Sequence, residues 1–222
     1  MTISVLLAED HTVLREGLRM LLEDKGDLKV VGQASNGLEA VREAIRLRPQ
    51  VVLMDIGMPD LNGVEATLQI RKACPDTHVV VLSVHNTAEH IHRALEAGAV
   101  GYLLKQSASE EVVVAIRSAA SGRHYLDPNI HNTVVHDYLR RRGSVPGKSP
   151  LDSLSERERR VLQLVAEGKT SKEIADMEYI SVKTVDTYRS RLMRKLGIHD
   201  TVALIRFAIE HGLTPEGQLP PE

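Results

Sequence analysis

The stretch Val51–Gly63, VVLMDIGMPDLNG, restricts the fold of this chain more than any other. Its opening, VVLM, is apolar at every position, which suits a strand buried on both faces of a parallel sheet. The run ends on one carboxylate, Asp55, and breaks at once into turn residues, Gly57 to Pro59 and Asn62-Gly63. A carboxylate at the C-terminal end of a central parallel strand stands where open α/β sheets place their ligands. For Asp55 alone a cap or turn role is an equally good account, because Asp is favoured there. A second apolar run, Ile3–Ala8, ends on the pair Glu9-Asp10 and shifts the balance. Three carboxylates on two strand ends converge only around a divalent cation, since like charges that close otherwise force a proton onto one of them.

Around this stretch, strand and helix patterns alternate. Apolar runs at Ile3–Ala8, Leu28–Ala34, Val51–Asp55, Val79–Ser83 and Gly101–Leu104 predict five strands. Between and after them, helical periodicity covers Thr12–Lys25, Gly37–Leu47, Gly63–Ala73, Thr87–Ala97 and Ser109–Ser121, with Ser107 or Ser109 as cap of the last. Such alternation predicts a five-stranded, doubly wound parallel sheet covered on both faces, an α/β domain over residues 1–122. The chain has 222 residues, enough for a second modest domain. With 3% aromatic residues and no Trp, its core must be aliphatic. No apolar run approaches the roughly 20 residues that span a bilayer, and no basic segment precedes an apolar one at the start, so neither membrane insertion nor a signal peptide is expected. The single cysteine, Cys74, rules out an internal disulfide framework and fits a reducing cytoplasm.

Four strand ends offer chemistry together: Glu9-Asp10, Asp55, Ser83 and Lys105. Carboxylate oxygens suit Mg²⁺, a hard cation that keeps waters and takes one or two carboxylates plus a phosphate. Lys105 offers a point charge to a phosphate oxygen and Ser83 a hydroxyl donor. This is equipment for phosphoryl transfer onto a carboxylate, where positioning and charge neutralisation do most of the catalysis. Taken singly, Lys105 is a solvated lysine, Ser83 a strand-end hydroxyl and Glu9-Asp10 a turn; their coincidence at successive strand ends favours the chemical account.

With these residues in view, residues 1 to about 122 resemble a response-regulator receiver domain, through Glu9-Asp10, the DIGMP segment Asp55–Pro59 with Gly63, Ser83, and GYLLK at Gly101–Lys105. The resemblance implies a flavodoxin-like sheet and an Asp55 that accepts a phosphoryl group from a sensor histidine kinase. It implies Mg²⁺ held by Asp10 and Asp55, by Glu9 directly or through water, and by the Gly57 carbonyl. Ser83 and Lys105 would bind phosphoryl oxygens, and Tyr102 would be the switch aromatic that turns inward when Ser83 moves. Gly57 and His85, each two residues past a pocket residue, would flank the attacking water and set the lifetime of the phosphoryl group. His90 and His92 lie about 200° apart on a helix; together with His85 they are expected to be solvated rather than metal ligands. His11 is open between packing and a pocket contact. A haloacid-dehalogenase-like phosphatase is the alternative enzyme reading, but that family wants a second Asp where this chain has Gly57.

Residues 123–152 look like a linker with one helix, Pro128–Arg142, whose apolar stripe is Ile130, Val134, Val135, Tyr138 and Leu139. Arg140-Arg141-Arg142 and the Gly/Ser/Pro-rich GSVPGKSPLDS follow. Residues 153–222 are helical in pattern. Ser155 with Glu158 forms a capping box, Thr170 or Ser171 caps a short helix, and Ser181 caps a longer one ended by Gly197. Short helix, turn, longer helix is the helix-turn-helix order. Within 181–197, five basic residues (Lys183, Arg189, Arg191, Arg194, Lys195) face one acid, Asp186, in a region whose 11 Lys and Arg balance 11 Asp and Glu. That local excess is an electrostatic footprint for nucleic acid.

LSERE, EGKTSKEIA and ISVKTVDTYRSRLMRKLG resemble the LuxR/NarL-type DNA-binding domain. The resemblance implies that Ser181–Leu196 enters the major groove of promoter DNA, with Lys183, Thr184, Thr187, Tyr188, Arg191 and Lys195 towards bases or phosphates. Val182, Val185, Leu192 and Leu196 would pack inward. Asp186 departs from the lysine of many relatives, and an Asp there can accept from cytosine N4. The helix from Thr201 would form a DNA-bound homodimer. The whole chain thus resembles a two-component response regulator of the NarL/FixJ family. It is expected to catalyse only its own phosphorylation and dephosphorylation, with a histidine kinase, double-stranded DNA, RNA polymerase and a second copy of itself as partners. A receiver-only interaction module with an inactive DNA domain is the remaining alternative.

Overall fold

The computed structural model describes residues 2–107, 109–142 and 150–213. It consists of two compact units, the first ending at Gly143 and the second beginning at Ser144.

In the first unit the expected alternation is found: β1 (Ile3–Ala8), α1 (Thr12–Glu23), β2 (Leu28–Ala34), α2 (Gly37–Leu47), β3 (Val51–Asp55), α3 (Gly63–Ala73), β4 (His78–Ser83), α4 (Ala88–Glu96), β5 (Gly101–Leu104) and α5 (Ser109–Ala120). All strands pair in parallel, in the order β2-β1-β3-β4-β5. Alternate residues of each strand feed opposite layers, as the two-residue strand period requires. Val5, Leu7, Leu53, Leu82 and Leu103 pack with Leu18 and Leu22 of α1 and Ile116 of α5. Leu6, Val52, Met54 and Val79 pack with Ala40, Ala44, Ala66 and Ile70 of α2 and α3. Val81, Tyr102 and Leu104 pack with Ile91 and Ala94 of α4.

The sheet has a sixth strand. β6 (Tyr125–Leu126) pairs with β5, so the five-stranded expectation is corrected to six. The segment expected as linker from residue 123 therefore begins inside the sheet. Tyr125 N donates to Val100 O at 2.9 Å and Asp127 N to Tyr102 O at 2.9 Å. Two residues are too few to display a period, which is why the strand is silent in the sequence. A 3₁₀ turn at Pro128–Ile130 then leads into α6 (His131–Arg142). Ile130 is fully buried and Val134 packs beside it in the α4 layer, whereas Val135 is exposed. The side chains of Tyr138, Leu139 and the three arginines, and the linker residues 143–149, lie outside the described residues.

Two glycines let the β3–α3 connection fold back on the strand end. A Cβ on Gly63 would stand 2.0 Å from the Asp55 carbonyl oxygen, and one on Gly37 would stand 1.9 Å from that of Leu61. Asn62 caps α3, accepting from Val64 N and Glu65 N. The turn that follows β3 is thereby packed against the backbone of the strand end.

The second unit holds α7 (Glu156–Ala166), α8 (Ser171–Glu178), α9 (Val182–Leu196) and α10 (Thr201–Glu210). Ser155/Glu158 and Thr170/Glu173 both form complete capping boxes, and Ser181 caps α9. Val161, Leu162, Leu164, Ile174, Val185, Leu192, Leu204 and Ala208 make one aliphatic core. Residues 214–222 lie outside the described residues.

Candidate functional site

The chain order reverses at β1, which lies between β2 and β3. Register pairs Ala8 with Met54, bringing the residues after them, Glu9 and Asp55, to the same edge. Crevices at such reversals bind ligands. Glu9 and Asp55 are almost wholly buried. Lys105 Nζ lies 2.8 Å from Asp55 Oδ2 and 3.0 Å from Glu9 Oε1. Gly57 N donates to Asp55 Oδ1 at 3.1 Å. His11 Nδ1 stands 2.9 Å from both Glu9 Oε1 and Asp10 Oδ1, which settles it as a pocket contact. One ligand atom from each of Glu9, Asp10, His11 and Asp55 falls within 4.8 Å of all the others.

Crowded carboxylates leave an electrostatic signature. Burial, then the Glu9 charge, push the Asp55 carboxyl up to about 6 against the pull of Lys105. Burial works against the Lys105 ammonium, but Asp55 and Glu9 outweigh it and hold its pKa above the ordinary value. The hydrogen bond to Glu9 leads the causes that raise His11. Glu9 Oε2 and Asp10 Oδ1 are buried without an aligned hydrogen bond, although Lys105 Nζ and His11 Nδ1 approach them to 2.9 Å. Under-satisfied carboxylate oxygens at one point are a donor set for a hard divalent cation.

Ser83 ends β4, one place past Leu82, which pairs with Asp55. Its Oγ accepts from His85 N at 3.1 Å. Tyr102 is fully buried, already turned inward, and its hydroxyl donates to His85 O at 2.8 Å. Burial pushes that hydroxyl up to about 12. His85 is therefore bonded through its amide to Ser83 and through its carbonyl to Tyr102. The expectation of solvated histidines is corrected for His90, which is buried, stacks on the His85 ring at 4.1 Å, and has Nδ1 2.6 Å from Thr87 Oγ1. A stacked partner ring supplies cover that helical spacing cannot reveal. His92 is half-exposed and pairs with Glu96 at 3.2 Å. Nothing in the sequence singles out Arg15, yet its guanidinium donates to the Glu9 carbonyl at 2.6 Å and to Gln33 Oε1 at 3.1 Å, tying down the acidic loop.

In the second unit, Ser181, Lys183, Thr184, Thr187, Tyr188 and Arg191 line one open hollow of about 320 Å³ on α9. Five of the six expected contact residues thus share a face. Lys195 does not join them: its Nζ lies 2.6 Å from Glu158 Oε2 and 2.9 Å from Ser153 O. Val182, expected inward, is 44% exposed, whereas Val185 and Leu192 are fully buried. Helical Cβ atoms tilt towards the N-terminus, so the first side chain reaches past the helix end instead of over a neighbour. Asp186 accepts from Ser171 Oγ at 3.0 Å, linking α9 to the start of α8, and Arg189 donates to the same hydroxyl at 3.2 Å. The Thr187 hydroxyl donates back to Lys183 O at 2.8 Å, one turn earlier in the same helix.

Residues 5–117 match the family described as response regulator receiver domain, and residues 152–208 match the bacterial regulatory proteins of the luxR family. The chain is 40% identical over 211 residues to response regulator UvrY of Escherichia coli (strain K12), covering 95% of each chain. It is 40% identical over 198 residues to transcriptional regulatory protein LiaR of Bacillus subtilis (strain 168), covering 89% of this chain and 92% of that one. The crystal structure of a LuxR-family two-component response regulator from Aurantimonas sp. SI85-9A1 superposes with a TM-score of 0.61 at 32% identity, over 63% of this chain and 99% of that one. This chain is a two-component response regulator with a LuxR-type DNA-binding domain. Glu9, Asp10, Asp55, Ser83, Tyr102 and Lys105 of the response regulator fall within its receiver match, and α9 falls within its luxR match. No described helix of the response regulator is long and apolar enough to cross a membrane.

Proposed function

We propose that this response regulator is switched by phosphorylation of Asp55 and that the switch controls its binding to promoter DNA as a homodimer. One observation carries the reading: a buried carboxylate, Asp55, lies 2.8 Å from a lysine ammonium inside a cluster of acids. An Asp55 oxygen attacks the phosphorus of a phosphohistidine on a sensor kinase. The new O–P bond forms as the N–P bond breaks, and the freed imidazole nitrogen takes up a proton. Lys105 and the Ser83 hydroxyl receive the phosphoryl oxygens. Asp10 and Asp55, with Glu9 directly or through water and the Gly57 carbonyl, are the residues that would hold Mg²⁺. When bound, the ion neutralises charge on the transferring group.

When Ser83 turns to the phosphoryl group it gives up His85 N. His85 also receives the Tyr102 hydroxyl, so the turn leading to α4 is repacked, which biases a two-state equilibrium. The hollow on α9 supplies the major-groove face, with Lys183 and Arg191 as its cations. We place the protein in the cytoplasm beside its kinase, with RNA polymerase as a further partner, and assign it no catalysis beyond its own phosphorylation and dephosphorylation.

The test is intact-protein mass spectrometry after treatment with acetyl phosphate and Mg²⁺, with light scattering on the same samples. The expected result is a gain of about 80 Da, one phosphoryl group, in wild type and none in Asp55→Ala, with a doubling of mass in the phosphorylated sample. No adduct in wild type would remove phosphorylation from the mechanism.

A further inference from the structure

Beyond the pocket, a second buried carboxylate is placed to govern it. Asp127 follows β6 and has no exposed surface. Its Oδ2 accepts from Leu104 N at 3.1 Å and from the Ser107 hydroxyl. Those two residues bracket Lys105. Its Oδ1 accepts from Asn129 N at 2.9 Å and Asn129 Nδ2 at 3.0 Å, capping the turn that starts α6. One side chain therefore joins the turn that aims Lys105 to the root of the last helix before the linker. Burial raises the Asp127 carboxyl, but the donors from Ser107, Asn129 and Leu104 outweigh it and hold it below its usual range, so these bonds are made to a carboxylate. Lys105 itself has one further backbone anchor, its N donating to Ser83 O at 2.8 Å.

We infer that Asp127 is a positioning residue for phosphoryl transfer: it sets the Lys105 turn and links that turn to α6. This inference rests on the phosphoacceptor reading of Asp55. Asp127 is bonded to neither Asp55 nor the acidic pair, so its action on the reaction runs through Lys105. In the other direction, a displacement of Lys105 towards a phosphoryl oxygen pulls on Leu104 N and Ser107, and through Asp127 on Asn129. Ile130, next in line, sits in the same apolar layer as Tyr102 and α4. The beginning of α6 is thus fastened to both moving parts of the pocket, by hydrogen bonds to the lysine turn and by packing to the tyrosine.

The experiment uses the full chain. The rate of phosphoryl uptake from acetyl phosphate is measured by intact mass for Asp127→Ala, Ser107→Ala and Lys105→Ala, and for Lys105→Ala combined with each of the other two. Donor concentration is raised until uptake by Lys105→Ala is measurable. Mg²⁺ affinity is measured separately by calorimetry. The expected result is a slowing by about tenfold or more in Asp127→Ala, in line with the cost of misplacing a reacting group by an ångström. A smaller slowing is expected in Ser107→Ala, and little further slowing by either change in the Lys105→Ala background. Mg²⁺ affinity should stay within about twofold, because the acidic cluster is untouched. Equal slowing in both backgrounds, an unchanged rate, or a matching loss of Mg²⁺ affinity would overturn the inference. If Asp127→Ala does not fold, Ser107→Ala is judged by the same criteria. Absence of an adduct on wild type would instead remove the phosphoacceptor reading, and this inference with it.

Discussion

Replacing Glu158 by Ala should destabilise the DNA-binding unit by about 2 kcal/mol, and the components can be assigned. Glu158 Oε2 accepts from Ser155 N at 2.8 Å and Ser155 Oγ at 3.0 Å, closing the capping box of α7. Losing it orphans a helix-start donor, worth about 1 kcal/mol. The same oxygen takes Lys195 Nζ at 2.6 Å, with the lysine side chain 36% exposed and Glu158 4% exposed. A pair screened on one side lies near the top of the range for surface pairs, about 1 kcal/mol. No buried charge is stranded, because Lys195 is free to swing into water. A helical unit of this size has a urea m-value of about 1 kcal/mol/M, so its midpoint should fall by about 2 M. The assay is pulsed hydrogen exchange on the full chain across a urea series, read on peptides from α7 and α9, which isolates this unit from the receiver. Glu173→Ala is the internal control: it removes the same box at Thr170 on an exposed surface, where Lys169 acts on the carboxylate only through its charge. If Glu158→Ala shifts the midpoint no further than Glu173→Ala, the Lys195 pair contributes nothing and the share assigned to it is wrong.

The Asp55 carboxyl is raised to about 6 in the fold, so its ionisation costs stability, a cost absent below the unfolded value and complete above about pH 6. Asp55→Asn should therefore raise the receiver's melting temperature more at pH 8 than at pH 4, and Mg²⁺ should stabilise wild type more at pH 8; equal gains at both pH values would contradict the burial account. Glu158 has the opposite sign: burial raises it, but Lys195 and Ser155 outweigh that and lower its pKa, so its contribution is complete above the ordinary glutamate value and disappears as pH falls through the folded one. His85→Ala should change the lifetime of the phosphoryl group, followed as decay of the mass adduct, while leaving intact the backbone bonds to Ser83 and Tyr102; an unchanged lifetime would refute a role for the ring. Lys183→Ala or Arg191→Ala should flatten the salt dependence of DNA binding by about 0.9 in log–log slope for each phosphate no longer neutralised, and Lys195→Ala should leave that slope unchanged while destabilising the fold; a flatter slope for Lys195→Ala would show that the lysine leaves Glu158 to reach DNA.

What could be read before the structure was whatever repeats. VVLM, VVVL and ISVLLA announce buried parallel strands, and the residues after them announce the pocket, because strand ends in a parallel sheet meet along one edge. What could not be read depends on neighbours distant in sequence. Helical spacing puts Lys195 on the basic side of α9, but a four-carbon side chain goes where the nearest carboxylate is, and Glu158 belongs to another helix. Val182 shares a stripe with Val185, yet the stripe runs off the end of the helix. Asp127-Pro128 has the look of a helix start, which it is; that its carboxylate also grips the lysine turn follows only from β6 lying beside β5. Tyr102 stands out in the sequence as an aromatic in a short apolar strand, but the partner of its hydroxyl, the His85 carbonyl 17 residues away, does not.

The brevity of β6 bears on how this receiver avoids sticking to itself. β5 is buried along its whole length, and without a neighbour its outer side would be an apolar ribbon with open amide and carbonyl groups, a template for a strand from another molecule. β6 occupies that side with only two residues, and Pro128, which lacks an amide hydrogen, soon follows. On this side, opposite the β2 edge, the sheet therefore finishes on a strand too short to recruit a partner, and a fragment cut at residue 122, where the strand–helix alternation stops, would expose the β5 edge that a cut after α6 keeps covered.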